Sequence, residues 1–170
     1  MDKQETLMIV VAFLAVFILA FSFTFWLNSQ NATLMGFRVM SSKPPVEALQ
    51  TVLDKNRSLI LKQELTNGAT RENSAVAALS AELIYAVQVT GINISNYGSI
   101  NGVNINSSCN SNNSFCGKPD VVIGIDASQP PCNCIVVREN KTMEIRGSTQ
   151  FFLENGVNLR HLIYYIESKQ

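Results

Sequence analysis

The chain has 170 residues, of which 46% are hydrophobic and 15% are charged, and its 13 basic and 13 acidic residues give a formal net charge of zero. It has no basic stripe that could form the electrostatic footprint of a nucleic-acid-binding surface, so we expect no nucleic-acid partner. After the first 28 residues, the remaining chain has the length of one domain.

The segment from Thr6 to Leu27 is apolar and carries no charge. A helix rises ~1.5 Å per residue and the hydrocarbon core is ~30 Å thick, so about 20 apolar residues can span a bilayer. Trp26, near the end of the segment, is a typical interfacial anchor. We therefore predict a tail and transmembrane signal anchor over residues 1–28, which contacts the lipid bilayer through residues 6–27.

Two other interpretations of this segment are a cleaved signal peptide and a pilin-like leader. A signal peptide has a shorter apolar core, of ~7–15 residues, and small residues before its cleavage site. Here Gln30 would occupy the −3 position if cleavage followed Ala32. Lys3 and Glu5 precede the apolar run as in a pilin leader, but the Gly or Ala of a pilin cleavage site is absent. An uncleaved anchor fits the residues better than either alternative.

The basic residues near the two ends of the segment do not decide its orientation. The composition of the rest of the chain favours export, because it combines clustered cysteines with Asn-X-Ser/Thr glycosylation motifs. These motifs begin at Asn31, Asn56, Asn93, Asn106, Asn112 and Asn140. We expect a single-pass protein of the cell membrane, with residues 29–170 outside the cytoplasm.

A polar tether at 29–36 is predicted to precede an exported domain at 37–170, in which short apolar strands alternate with amphipathic helices. The predicted helices cover residues 45–55, 73–89 and 149–167. The predicted strands cover residues 37–40, 58–65, 92–94, 103–105, 121–125, 135–137 and 143–145. Residues 106–119 are predicted to be a loop, and Gly156 could break the last helix.

Helices alternate with strands early in the domain, and a β-hairpin leads to a closing helix late in it. This order predicts an α/β fold, a sandwich of one mixed sheet with helices packed on it. The early crossovers are expected to be parallel and right-handed.

The segments LILKQEL and NSAVAALSAELIYAV, followed by DVVIGIDA, CNCIVV and KTMEIRGSTQFFLENGVNLRHLI, resemble in their order the α/β units of archaeal surface-layer (S-layer) proteins. The similarity covers Ser58 to Ile166 and lies in the pattern of elements. A Gly-Gly-Pro turn expected after the strand is replaced by Gly124-Ile125-Asp126. The resemblance implies an archaeal-type setting at the cell surface.

Asp126 is the best candidate for a ligand-binding residue, because it follows the strand at 121–125 and α/β sheets bind ligands at the carboxyl ends of strands. The favoured alternative is that its carboxylate caps the turn that follows, Ala127 to Pro131. His161 is the single histidine, and no nucleophile elbow or phosphate-binding glycine loop occurs. We therefore predict no catalytic residue and no cofactor.

The cysteines Cys109, Cys116, Cys132 and Cys134 form C-x6-C and C-x-C pairs. Structural disulfides, a zinc site and redox chemistry are the three interpretations, and the spacing fits neither zinc nor redox motifs well. We expect disulfides that staple the 106–119 loop to the strand at 132–137, because two strand residues at i and i+2, such as Cys132 and Cys134, lie ~6.5 Å apart and are poorly placed to bond each other.

These features favour a structural or binding role at the cell envelope, with an envelope protein or a glycan as partner. The alternative is a membrane-bound thiol or metal-dependent enzyme that uses the cysteine cluster. A pocket around Asp126 and the cysteines would favour the enzyme.

Overall fold

The structure, a computed structural model, describes Met8, residues 11–20, Ser22, residues 33–105 and residues 118–170. Residues 11–20 are helical and are called α1. The later helices are α2 (Pro45–Val52), α3 (Arg71–Val89) and α4 (Thr149–Glu167). The strands are β1 (Thr33–Leu34), β2 (Phe37–Met40), β3 (Leu59–Leu65), β4 (Ile94–Ile100), β5 (Val103–Asn104), β6 (Val121–Ile125), β7 (Cys134–Val137) and β8 (Met143–Gly147).

All eight described strands form one mixed sheet in the order β1-β2-β7-β8-β6-β3-β4-β5. Its centre is parallel, since β8, β6, β3 and β4 pair side by side in the same direction. β7 pairs antiparallel with β8 and parallel with β2. The outermost strands, β1 and β5, have two residues each, and such short edges limit pairing with other chains. The predicted single α/β domain with a mixed sheet is confirmed.

The core lies on one face of the sheet, between the strands and helices α2, α3 and α4. Alternate strand residues, such as Leu59 and Leu61 on β3 and Met143 and Ile145 on β8, belong to the same buried cluster as the inner faces of the helices. The residues between them point to the opposite face because strand side chains alternate. We call that opposite side the open face, and its central members are Lys62, Glu64, Val122, Gly124, Glu144 and Arg146.

The bounds of α4 agree with the predicted helix at 149–167, and Gly156 does not interrupt it. Gly156 instead lies close to α3, where an added Cβ would be 3.0 Å from Glu82 Cγ. α3 begins two residues before the predicted position because the Thr70 side chain caps it, accepting a hydrogen bond from the backbone N–H of Asn73 at 3.1 Å. α2 is shorter than predicted and ends at Val52.

Two connecting segments contain more strand than the sequence pattern predicts. Residues 33–36, at the end of the predicted tether, form β1 and a tight turn in which Met35 and Gly36 have φ values of 49° and 86°. β4 extends beyond the predicted strand at 92–94 and continues to Ile100, because it pairs with β3 along its whole length. The turn before β5 is Asn101-Gly102, the sequence most typical of a two-residue hairpin.

The described part of α1 is apolar and exposed on all sides. Eight large apolar side chains between Met8 and Leu19 are 55–76% exposed. Of the predicted span at 6–27, the ends lie outside the described residues. Within the part of the chain that the structure describes, no helix has both the length and the apolar character needed to cross a membrane.

Two glycines of adjacent strands should respond differently to the same substitution. A Cβ at Gly147 would lie 2.6 Å from Phe151 Cδ1 and 2.8 Å from Phe152 Cε1, both on aromatic rings at the start of α4. A Cβ at Gly124 would meet mainly the ends of the Arg146 and Glu64 side chains, which can move. We expect Gly147→Ala to lower the free energy of unfolding by about 1–3 kcal/mol through overpacking, and Gly124→Ala to lower it by less.

Urea unfolding of the two variants, followed by circular dichroism, measures this difference. An equal or larger loss for Gly124→Ala would contradict the assignment of the rigid contact to Gly147.

Candidate functional site

The parallel strands give the sheet two distinct edges. The carboxyl ends of β3, β4, β6 and β8 lie at one, which we call the carboxyl edge, and their amino ends lie at the other, the amino edge. Asp126 directly follows β6 and therefore lies at the carboxyl edge, as predicted. The N-terminus of α4 and the Cys132–Cys134 segment lie at the same edge, since Ser148 follows β8 and Cys134 pairs with Arg146.

The Asp126 carboxylate binds the backbone of its own loop. Oδ1 accepts a hydrogen bond from the N–H of Ser128 at 3.0 Å, and Oδ2 accepts one from the N–H of Cys132 at 2.6 Å. The hydrogen bonds from Cys132 and then from Ser128 lower the pKa of Asp126 below its ordinary value. Both oxygens are thus used to close the loop between β6 and β7, and this geometry supports the turn-capping alternative for Asp126.

Replacing Asp126 with Ala should loosen the loop between β6 and β7 and remove part of the acid sensitivity of the fold. The folded pKa of Asp126 is lower than the unfolded one, so its contribution to stability is present above the unfolded pKa and is lost as the pH falls through the folded pKa. We expect Asp126→Ala to be less stable than the wild type at neutral pH and to approach it under acid conditions.

The free energies of unfolding of both proteins, measured between pH 7 and pH 2, test this expectation. Asp54→Ala is the matched control, because Asp54 also accepts a backbone hydrogen bond in a turn, from Asn56, but lies next to α2. A difference between Asp126→Ala and the wild type that is unchanged across this range would contradict the proposed linkage.

Cys132 and Cys134 form a disulfide with each other, so the prediction that they staple the 106–119 loop is wrong. The prediction assumed that both lie in an extended strand. β7 instead begins at Cys134, and Asn133 has a φ of 47°, which shortens the distance between the two cysteine Cα atoms to 5.2 Å. Asn adopts positive φ angles more readily than most residues, so an Asn between the two cysteines is the feature of the sequence that could have indicated this bend. Cys109 and Cys116 lie outside the described residues, and their disulfide bonding stays a prediction.

A network of charged side chains crosses the centre of the open face. Arg146 on β8 pairs with Glu64 on β3 across the intervening strand β6, and Lys62 Nζ lies 3.1 Å from Glu64 Oε1. Partial burial raises the pKa of Glu64, but the hydrogen bonds and charges of Arg146 and Lys62 outweigh this effect and hold it below the ordinary value. The pair can form across β6 because Gly124 has no side chain between the two partners.

Sequence reasoning missed this network, although a signal was present. Lys62 and Glu64 alternate with core residues, as do Glu144 and Arg146, which is typical of strands with one face outside the core. Their partnership depends on the strand order β8-β6-β3, which local patterns do not specify.

A cleft of about 240 Å³ lies at the amino edge, between residues 41–43, α2 and the hairpin that joins β7 to β8. Lys43, Arg138 and Lys141 line it, but Lys43 pairs with Glu47 and Arg138 with Glu144. A second cleft of about 410 Å³ shares Ser42 and residues 137–139 with it. Asp126 and Cys132–Cys134 lie at the opposite edge and do not contribute to it. His161 is exposed on α4.

Within residues 33–105 and 118–170, together with the described part of α1, no three His, Cys, Asp or Glu side chains are grouped so that they could hold a metal ion. Comparison of the chain with protein-family models, curated proteins and solved structures finds no match. Among the described residues, polar and charged groups are concentrated near the carboxyl edge, where Asp126 and the disulfide hold one loop and the Arg146–Glu64 network lies nearby.

Proposed function

We propose that this protein is a single-pass, membrane-anchored domain with a structural or binding role on the outer side of the cell membrane. The observation that carries the proposal is the exposure of α1. Phe13, Phe17 and Leu19 are at least 70% exposed, and apolar side chains point in every direction around the helix. A helix that is apolar all round is stable when it is buried in a protein or in a lipid bilayer. The bilayer is the environment that residues 6–27 would enter.

Export of residues 29–170 is supported by the chemistry of the domain. Cys132 and Cys134 are joined as a disulfide, and disulfides persist mainly in oxidising compartments. The glycosylation motifs described above also suit an exported chain.

A binding or structural role is supported by the arrangement of the candidate residues. The Asp126 carboxylate already accepts two backbone hydrogen bonds, and the described clefts are lined by other residues. An envelope protein or an envelope glycan is the class of partner we propose. The resemblance of residues 58–166 to archaeal S-layer units belongs to the same proposal and stays a hypothesis.

Extraction of isolated membranes with alkaline carbonate tests the anchor. The full-length protein should stay in the membrane pellet, and its N-terminal sequence should start near Met1. Release into the supernatant, or a mature protein beginning near Thr33, would refute an uncleaved anchor.

A further inference from the structure

We propose that the amino edge of the sheet is an N-glycosylated surface, with glycans attached to Asn56, Asn93 and Asn140. This inference rests on the proposed export of the domain. It adds a specific modification site, and it places the glycans opposite the carboxyl edge, where Asp126 and the disulfide lie.

The three asparagines share one position in the fold. Asn56 precedes β3, Asn93 precedes β4 and Asn140 precedes β8. These strands run in the same direction, so their preceding loops meet at the same edge. The strand order β8-β6-β3-β4 separates the outer two by three strand spacings of ~4.8 Å, so the three loops lie within ~15 Å of one another across the sheet.

Each asparagine is exposed, as an acceptor of a large glycan must be. Each also has a hydroxyl residue two positions later: Ser58, Ser95 and Thr142. Glycosylation motifs that occur by chance have no reason to share one edge of a sheet. The described motifs therefore form a surface rather than a scatter of isolated sites.

In the folded domain, the side chain of Asn140 is held by a hydrogen bond within its own motif. Its Oδ1 accepts this bond from the backbone N–H of Thr142 at 3.1 Å, and the bond does not use Nδ2, the atom that would carry the glycan. At Asn56, Nδ2 donates to Asp54 Oδ1 at 3.2 Å on an exposed turn, and this bond is exchanged for the bond to the sugar. Thr142 is only 9% exposed in the folded domain, so Asn140 is modified before the hairpin of β7 and β8 forms.

The co-reactant is an oligosaccharide linked through a diphosphate to a polyprenyl-type lipid. The asparagine Nδ2 attacks C1 of the first sugar, and an N–C1 bond forms as the C1–O bond to the diphosphate breaks. The lipid diphosphate leaves with its electron pair, and one amide proton passes to a base. No electron transfer is involved, so the reaction needs no oxidant or reductant.

The test is mass spectrometry of the full-length chain, purified in detergent from the membranes of its own host cells. We expect glycan on the three peptides that contain Asn56, Asn93 and Asn140. The variants N56Q, N93Q and N140Q should each lose the mass of one glycan. S58A should lose the same glycan as N56Q although it keeps Asn56. It therefore tests this site even if the fold does not accept Gln at position 56.

N96Q is the matched control, because Asn96 is exposed on β4 but is followed by Tyr97 and Gly98 rather than by a hydroxyl residue at the second position. It should lose no glycan. Absence of glycan from any of the three wild-type peptides, in cells whose domain is digested by external protease, would overturn the glycosylated edge alone. Unmodified peptides in a domain protected until lysis would instead refute export, and this inference with it.

Discussion

Replacing Phe152 with Ala should lower the free energy of unfolding by about 3–5 kcal/mol, the range for removing a buried Phe side chain. Phe152 lies in the first turns of α4 and is 1% exposed in the core between the helices and the sheet. Its ring lies next to that of Phe151, with 6.3 Å between the centroids. Urea unfolding of the detergent-solubilised full-length chain, followed by circular dichroism, measures the loss.

Leu153→Ala is the control for this variant. Leu153 is the next residue of the same helix but is 46% exposed, so its truncation should change the free energy of unfolding by about 0.5 kcal/mol or less. Similar losses for the two variants would contradict the placement of Phe152 in the core and Leu153 outside it.

Replacing Leu14 and Phe17 with Arg should release the protein from membranes. Both residues lie near the middle of the proposed span at 6–27, and both are exposed on α1, at 56% and 70%. Each arginine at the centre of a membrane helix costs ~2.5–3.5 kcal/mol on insertion scales, so the double variant should lose most of the free energy that favours insertion. Carbonate extraction followed by immunoblotting measures the fraction that stays in the pellet.

The matched control replaces the same residues with other apolar side chains, Leu14→Ile and Phe17→Leu. This variant should stay in the pellet like the wild type. Equal retention of the arginine and apolar variants would mean that residues 6–27 do not insert in the bilayer.

Strong local periodicity accounts for the parts of the fold that could be predicted. The buried residues of α4 (Phe152, Leu159, Leu162, Ile163 and Ile166) recur at the spacing of one helix face, so a helix can be inferred from the sequence here. The start of this helix agrees with the prediction because Ser148 caps it, with its Oγ accepting a hydrogen bond from the N–H of Phe151. The apolar run at 121–125 predicts β6 with the observed bounds, because a strand in the centre of a parallel sheet is buried on both faces and is apolar throughout.

Features that depend on tertiary pairing could not be predicted in this way. Residues 95–100 are rich in turn-forming residues, yet they continue β4 because β3 supplies a partner along the whole strand. The Cys132–Cys134 disulfide depends on the backbone conformation of Asn133, which the C-x-C spacing alone does not specify. In β4, pairing with a distant strand outweighs the local preference for a turn. Between the two cysteines, the backbone conformation of Asn133 replaces the extended strand that the spacing argument assumes.

The position of Asp126 and the capping of the following turn by its carboxylate could both be predicted, but the partners of the carboxylate could not. Asp126 lies at the carboxyl edge because it follows β6, and the sequence was sufficient to place it there. Its two hydrogen bonds to Ser128 and Cys132 depend on the path of the loop that returns to β7. The pairing of Arg146 with Glu64 over Gly124 depends on the strand order, so no local pattern could have identified it.

Protease digestion of intact cells tests the central claim, an anchored domain outside the cytoplasm, most directly. Trypsin added to intact cells should degrade residues 33–170, and a cytoplasmic marker protein in the same cells should stay whole. An antibody against the α4 segment, Thr149–Glu167, would follow the loss of the domain. Protection of the domain until the cells are lysed would contradict the account.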